Sequence, residues 1–126
     1  MSTLPFDPLA SIIVVNVVLK AKHPYTAKLV LDTGSSFVVL PRALVIDLGL
    51  AIDQKNTVVT TTASMVETVP EISIPEVTFL DKTVKNVRGI VKDLPSESGV
   101  DGLLGLSFLK HFKLTIDFTK GLLTLD

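Results

Sequence analysis

Leu29-Val30-Leu31-Asp32-Thr33-Gly34-Ser35-Ser36 carries a carboxylate at the end of an apolar, strand-like run, turns it through Thr-Gly and follows it with two hydroxyls. Burying an acid behind a hydrophobic strand raises its pKa and is costly unless hydrogen bonds or a partner compensate it. A purely structural segment has little use for that arrangement, so Asp32 reads as a general acid or base. Thr33 is β-branched and extends the strand while its hydroxyl ties down neighbouring backbone. Gly34 permits either close approach of another backbone or a positive φ, because it has no Cβ. Ser35 is expected to donate to the Asp32 carboxylate, which favours the charged form. On the tripeptide alone an ordinary strand end is an equal reading, since Asp, Gly and Ser are common turn residues.

The flanking chain supports strands on both sides of Asp32. Ile12 to Lys20 alternates, with Ile13, Val15, Val17 and Leu19 on a core face and Asn16 and Lys20 on the other. Lys22-His23-Pro24-Tyr25 turns it into Thr26 to Leu31, a hairpin that ends at Asp32. Residues 1–10 contain Pro5 and Pro8 and read as an extended N-terminal arm, leaving residues 11–126 as one domain. After the loop, Phe37 to Leu40 is a short buried strand, and Pro41 to Leu48 a brief helix stopped by Gly49.

Thr57 to Thr62 and Met65 to Val69 are β-rich halves of a hairpin around Ala63-Ser64. Pro70 and Pro75 are expected to punctuate the chain before strands at Val77 to Leu80 and Val84 to Val91. Asp101 sits in an Asp-Gly turn pair and reads as structural. Ser107 is placed to cap a short helix whose apolar face is Phe108, Leu109 and Phe112. Lys113 to Phe118, the Thr119-Lys120-Gly121 turn and Leu122 to Leu125 then form a terminal hairpin, apolar enough to need a partner along its edge.

Bulk properties narrow the function classes. With 126 residues the chain is one domain, and 47% hydrophobic residues point to a packed or self-associating protein. A formal net charge of −1 gives no field for nucleic acid or an anionic membrane. Without cysteine there is neither a disulfide nor a thiolate metal site, and His23 and His111 are too far apart in the chain to suggest a metal cluster. Ile12-Ile13-Val14-Val15 falls well short of the ~20 apolar residues of a membrane span, and residues 1–11 do not read as a charged leader with a small-residue cleavage site. If complete, such a chain is expected in the cytoplasm. The glycines at 99, 102 and 105 match no dinucleotide or phosphate-loop pattern.

Asp32-Thr33-Gly34-Ser35-Ser36, preceded by Leu29-Val30-Leu31, resembles the active-site loop of aspartic proteases. About seventy residues on, Asp101-Gly102-Leu103-Leu104-Gly105-Leu106 resembles that clan's signature of two hydrophobics and a glycine, which lies under the catalytic loop. The run from Leu103 to Leu125 is similar to small bacterial retropepsin-like proteins and to the protease-like domain of DNA-damage-inducible ubiquitin-shuttle proteins. The resemblance spans residues 11–125, with specific motifs only in 29–41 and 101–125.

It implies an all-β, closed acid-protease-type barrel with one or two short helices and one lobe per chain. It further implies a homodimeric aspartic endopeptidase without cofactor or metal, acting on a peptide or protein substrate. Asp32 and its copy would be the catalytic pair, and Thr33 would hydrogen-bond across the dimer axis. Gly34 would accept the substrate backbone, and Ser35 would tune the acid. The hairpin around Ala63, Ser64 and Met65 would be the flap over the substrate, and Val30 and Leu103 would be pocket walls. The terminal hairpin would pair with that of a second subunit. Two departures stand out: Leu106 and Ser36 replace the Arg and Asp that brace retroviral dimers. The competing readings are a non-catalytic peptide-binding or dimerisation module on the same fold, and a plain β-barrel with chance motifs.

Overall fold

The computed structural model describes residues 2–61 and 64–126. In chain order its elements are β1 (Ser2–Pro5), β2 (Val14–Lys20), β3 (Pro24–Leu31), β4 (Val38–Leu40), α1 (Arg42–Asp47) and β5 (Asp53–Thr61). They continue with β6 (Val66–Phe79), β7 (Lys82–Val91), β8 (Gly102–Leu104), α2 (Leu106–Leu109), β9 (Leu114–Asp117) and β10 (Leu122–Leu125). The strands β2-β3-β8-β4-β7-β6 are neighbours in that order, and pairing of β2 with β6 closes the ring. The result is the expected all-β closed barrel with two short helices, one lobe per chain. Strand β5 hangs on the outer edge of β6 and takes no part in the closure.

Alternation along β2 turns Val15, Val17 and Leu19 fully inward, where they meet Leu29, Ile74, Val77, Phe79, Leu104 and Phe108 in one core. Burial of each such side chain contributes about 1.5–3 kcal/mol. Helix α1 closes one flank through Leu44, Val45 and Leu48. The first N–H of α1, on Arg42, donates to Asp93 Oδ1 at 3.0 Å, so the helix start is satisfied from 51 residues away.

Three expectations are corrected. Pro70 and Pro75 do not break the chain; both lie inside β6, a strand of 14 residues. Each falls where a donor is not required. The β6–β7 ladder ends at Glu71 opposite Ile90, and it skips Pro75, whose neighbour Asn86 has φ +55°. Second, the partner expected along the terminal hairpin's edge is supplied on the β10 side by this chain's own arm: β1 runs antiparallel to β10, and β10 is the middle strand of the sheet β1-β10-β9. The edge of the terminal hairpin is thus covered by the same chain, and the edges left to that sheet are β1 and β9. Leu123 and Leu125 are buried and join this sheet to the barrel core.

Third, Ser107 is not the cap of α2, whose N-cap is Gly105. It lies inside the helix, where its buried hydroxyl donates to Arg88 O at 2.7 Å and accepts from Val38 N at 3.0 Å. One side chain thereby staples β4 to β7. Ser107→Ala leaves both backbone groups unpaired away from water, which costs about 1–3 kcal/mol. The expected outcome is that much loss in urea unfolding with an unchanged m-value; an unaltered midpoint would show that the two groups find other partners.

Candidate active site

Strand β8 is inserted between β3 and β4. It runs parallel to β3, with Leu29 opposite Gly102 and Leu31 opposite Leu104, and meets β4 antiparallel at Val39 and Leu103. Asp101 holds the entry to β8: its N–H donates to Lys28 O at 2.7 Å and its Oδ2 accepts from Lys28 N at 2.9 Å. Both functions are structural. Glycine is needed where β8 and its exit press on neighbouring backbone. A Cβ on Gly102 would lie 1.9 Å from Val39 O, and one on Gly105 would lie 2.2 Å from Phe37 O and 2.6 Å from Ser35 O.

This packing supports the loop that bears Asp32. The Asp32 N–H donates to Leu104 O at 3.0 Å, and the carbonyls of Ser35 and Ser36 accept from Leu106 N and Ser107 N at 2.8 and 2.9 Å. Loop and helix start therefore satisfy each other's backbone groups. The half-exposed Asp32 carboxylate accepts from Gly34 N at 2.9 Å, which orients it. Of the two reasons for Gly34, a positive φ is not the operative one. Its φ is not positive, and a Cβ there would come 3.2 Å from Asp32 Oδ1. Ser35 corrects an expectation: its hydroxyl donates to Phe37 O at 2.8 Å, not to Asp32. A hydroxyl has one proton to give, so in this chain Ser35 shapes the loop.

Asp32 lies on the divide between two depressions. One is a cleft of about 440 Å³, lined by Asp32, Gly34, Ser35, Phe37, Val39 and Leu103 on the barrel side and by Val59, Thr60 and Thr61 of the β5–β6 hairpin. Ile90, Lys92 and Leu94 complete its wall. The other is a groove of about 380 Å³, lined by Asp32, Thr33, Val30, Leu31, Ile12, Ile13, Ile116 and Phe118. Leu103 lines the cleft, whereas Val30 lines the groove. Ser64 and Met65 are exposed near the hairpin end and do not line the cleft. Ala63 lies outside the described residues.

The sequence reading missed the middle of the hairpin and the far wall. Val59 is 65% exposed, opposite Thr68 on β6, and could have been found from the alternation of β5. Lys92 could not, because it follows an apolar strand and its significance depends on Glu67, whose Oε1 is 2.5 Å from Lys92 Nζ. Arg88 stacks over Phe37 at 5.0 Å and bonds Glu71 Oε1 at 2.7 Å. That hydrogen bond holds the Glu71 carboxyl below its usual range and raises the Arg88 guanidinium. Among the described residues no group of three or more His, Cys, Asp or Glu could hold a metal, and no helix is long and apolar enough to cross a membrane.

Comparison with known proteins agrees with this geometry. The model of one protein family, described as aspartyl protease, matches residues 15–108. The solved structure of a retropepsin-like aspartic protease from Rickettsia conorii is similar to the chain with a TM-score of 0.70 at 24% sequence identity, covering 98% of each chain. No match is found among curated proteins.

Proposed function

Because the chain belongs to the aspartyl protease family, on a fold of the retropepsin-like kind, we propose that it is a homodimeric aspartic endopeptidase whose catalytic pair is Asp32 and the Asp32 of a second copy. The observation that carries this is the position of Asp32 on the divide, with a peptide-sized cleft on one side and an apolar groove on the other. The chemistry needs two carboxylates sharing one proton, since like charges a few ångström apart do not both ionise. One carboxylate takes a proton from a trapped water while the other, protonated, polarises the scissile carbonyl. Asp32 is the only acid among the described residues that line the cleft, so the second has to come from a two-fold related chain.

The groove is the natural seat for that chain. Phe118 is 61% exposed and Ile12 47%, beside Thr33, and apolar groups so placed are left uncovered in a monomer. Covering them brings the two Asp32 loops together at the axis, where Thr33 bonds to its copy. Apolar contact here replaces the charged braces that Leu106 and Ser36 do not supply. Substrate lies extended between the barrel floor and the β5–β6 hairpin, which acts as the flap, with backbone bonds for affinity and alternate pockets for selectivity.

The test is cleavage of a mixed peptide library at serial dilutions, with mass followed by light scattering. Activity per chain is expected to fall as the dimer dissociates. Phe118→Asp, at an exposed position, is expected to weaken the dimer at least about tenfold and to lower activity in parallel, with circular dichroism unchanged. Activity that persists in a demonstrated monomer sinks the proposal. A stable dimer that cuts nothing between pH 3 and 7 supports the peptide-binding module instead.

A further inference from the structure

Beyond Glu71 and Ile90 strands β6 and β7 part, because Pro70 has no N–H to prolong the ladder. Glu67 and Lys92 bridge the gap, 2.5 Å apart. Both side chains are about equally half-buried, and they differ in what they face. Glu67 Oε1 is buried, whereas Lys92 faces the cleft that holds Asp32 and is the only cation among the described residues lining it.

We propose that Lys92 is a specificity-determining residue that selects a substrate side chain with an aliphatic stem and an oxygen acceptor at its end, glutamine above all, and that Glu67 positions it. The inference deepens the protease reading and rests on it. An ammonium has three donors, and the ion pair with Glu67 holds it at the cleft wall with donors to spare for a substrate acceptor. Val39, Ile90 and Leu103 pack into an apolar cluster beside it, a surface suited to a methylene stem and not to a short polar side chain. Charge decides which acceptor fits. Glu67 already neutralises Lys92, and Asp32 adds a carboxylate to the same cleft, so a neutral amide is received better than a second anion. A lysine or arginine end meets the Lys92 ammonium and is refused.

The experiment uses peptides identical but for one residue, Gln, Met, Glu or Lys, scanned on both sides of the cut. The wild type is expected to cleave the best Gln peptide about tenfold faster in kcat/KM than its Met counterpart, with Lys slowest, since a site that hydrogen-bonds a substrate group rejects the analogue lacking it. Lys92→Met is expected to bring the Gln-to-Met ratio close to one, and Lys92→Arg to keep it. Glu67→Gln is expected to shift the preference from Gln to Glu, which mere loosening of the hairpin would not do. The same peptides are titrated onto Asp32→Asn, with and without Lys92→Met. A Gln-to-Met ratio unmoved by Lys92→Met overturns the inference while cleavage itself leaves the protease reading standing. Lys92-dependent preference in binding without any cleavage by the wild type supports the inference and overturns the protease reading. Equal binding of all four peptides with no cleavage overturns both.

Discussion

Asp32→Asn is expected to lower kcat/KM for peptide cleavage at least about a thousandfold, within the range that general acid–base groups supply, and to leave the fold and the proposed dimer in place. The fold survives because the orienting bond is kept: Gly34 N donates to Asp32 Oδ1 at 2.9 Å, and an asparagine carbonyl oxygen accepts in the same position. The site is half-exposed, so the amide N–H₂ reaches water and is not stranded. Activity goes because an amide neither takes a proton from water nor gives one to a carbonyl, and the substitution enters both copies at once. The measurement compares wild type and variant at equal folded concentration on a mixed peptide library from pH 3 to 7. The wild type is expected to cleave within this range and the variant is not. Cleavage by Asp32→Asn at the wild-type rate would remove Asp32 from the mechanism.

Much of this site is readable in the sequence because it rests on local rules. The core face of β2 follows from alternation of Val15, Val17 and Leu19. Asp32-Thr33-Gly34 and Gly102 to Gly105 announce themselves through residue types that only a strand end, or a close backbone approach, requires. What escapes is set by chain segments far apart. Pro70 and Pro75 look like breakers, and only the register of β6 against β7 shows that their missing donors fall at a ladder's end and opposite Asn86. Ser107 has the composition of a cap, but its partners, Val38 N and Arg88 O, lie 69 and 19 residues away. Pairing of β1 with β10 joins the two ends of the chain, which no local pattern encodes. The Lys92–Glu67 pair is hidden for the same reason: Glu67 is an ordinary strand charge and Lys92 an ordinary charge just past a strand until the barrel sets them together.

Gly105→Ala and Gly102→Ala each destabilise the protein by about 3–5 kcal/mol, the upper end for point substitutions, whereas Gly99→Ala costs only about 1–2 kcal/mol. All three add the same methyl group, and what it meets separates them. At Gly99 nothing lies within 4 Å, and the cost comes from a φ of +70° alone. That cost is partly offset because alanine narrows the unfolded ensemble. At Gly102 the methyl would stand 1.9 Å from Val39 O, and at Gly105 2.2 Å from Phe37 O, with no flexible side chain able to yield. Relief requires β8 or the Asp32 loop to move as a unit, breaking the bonds from Asp32 N to Leu104 O and from Leu106 N to Ser35 O. Thermal unfolding is expected to fall by about 10–20 °C for the two core glycines and by less than about 8 °C for Gly99. Activity divides them further. Any Gly105→Ala protein that still folds, assayed well below its melting temperature, is expected to lose far more cleavage than its unfolded fraction explains, because the shifted backbone is the one that aims Asp32. Equal stability of Gly105→Ala and Gly99→Ala would mean that β8 does not press on that loop, and the support described for Asp32 would have to be sought elsewhere.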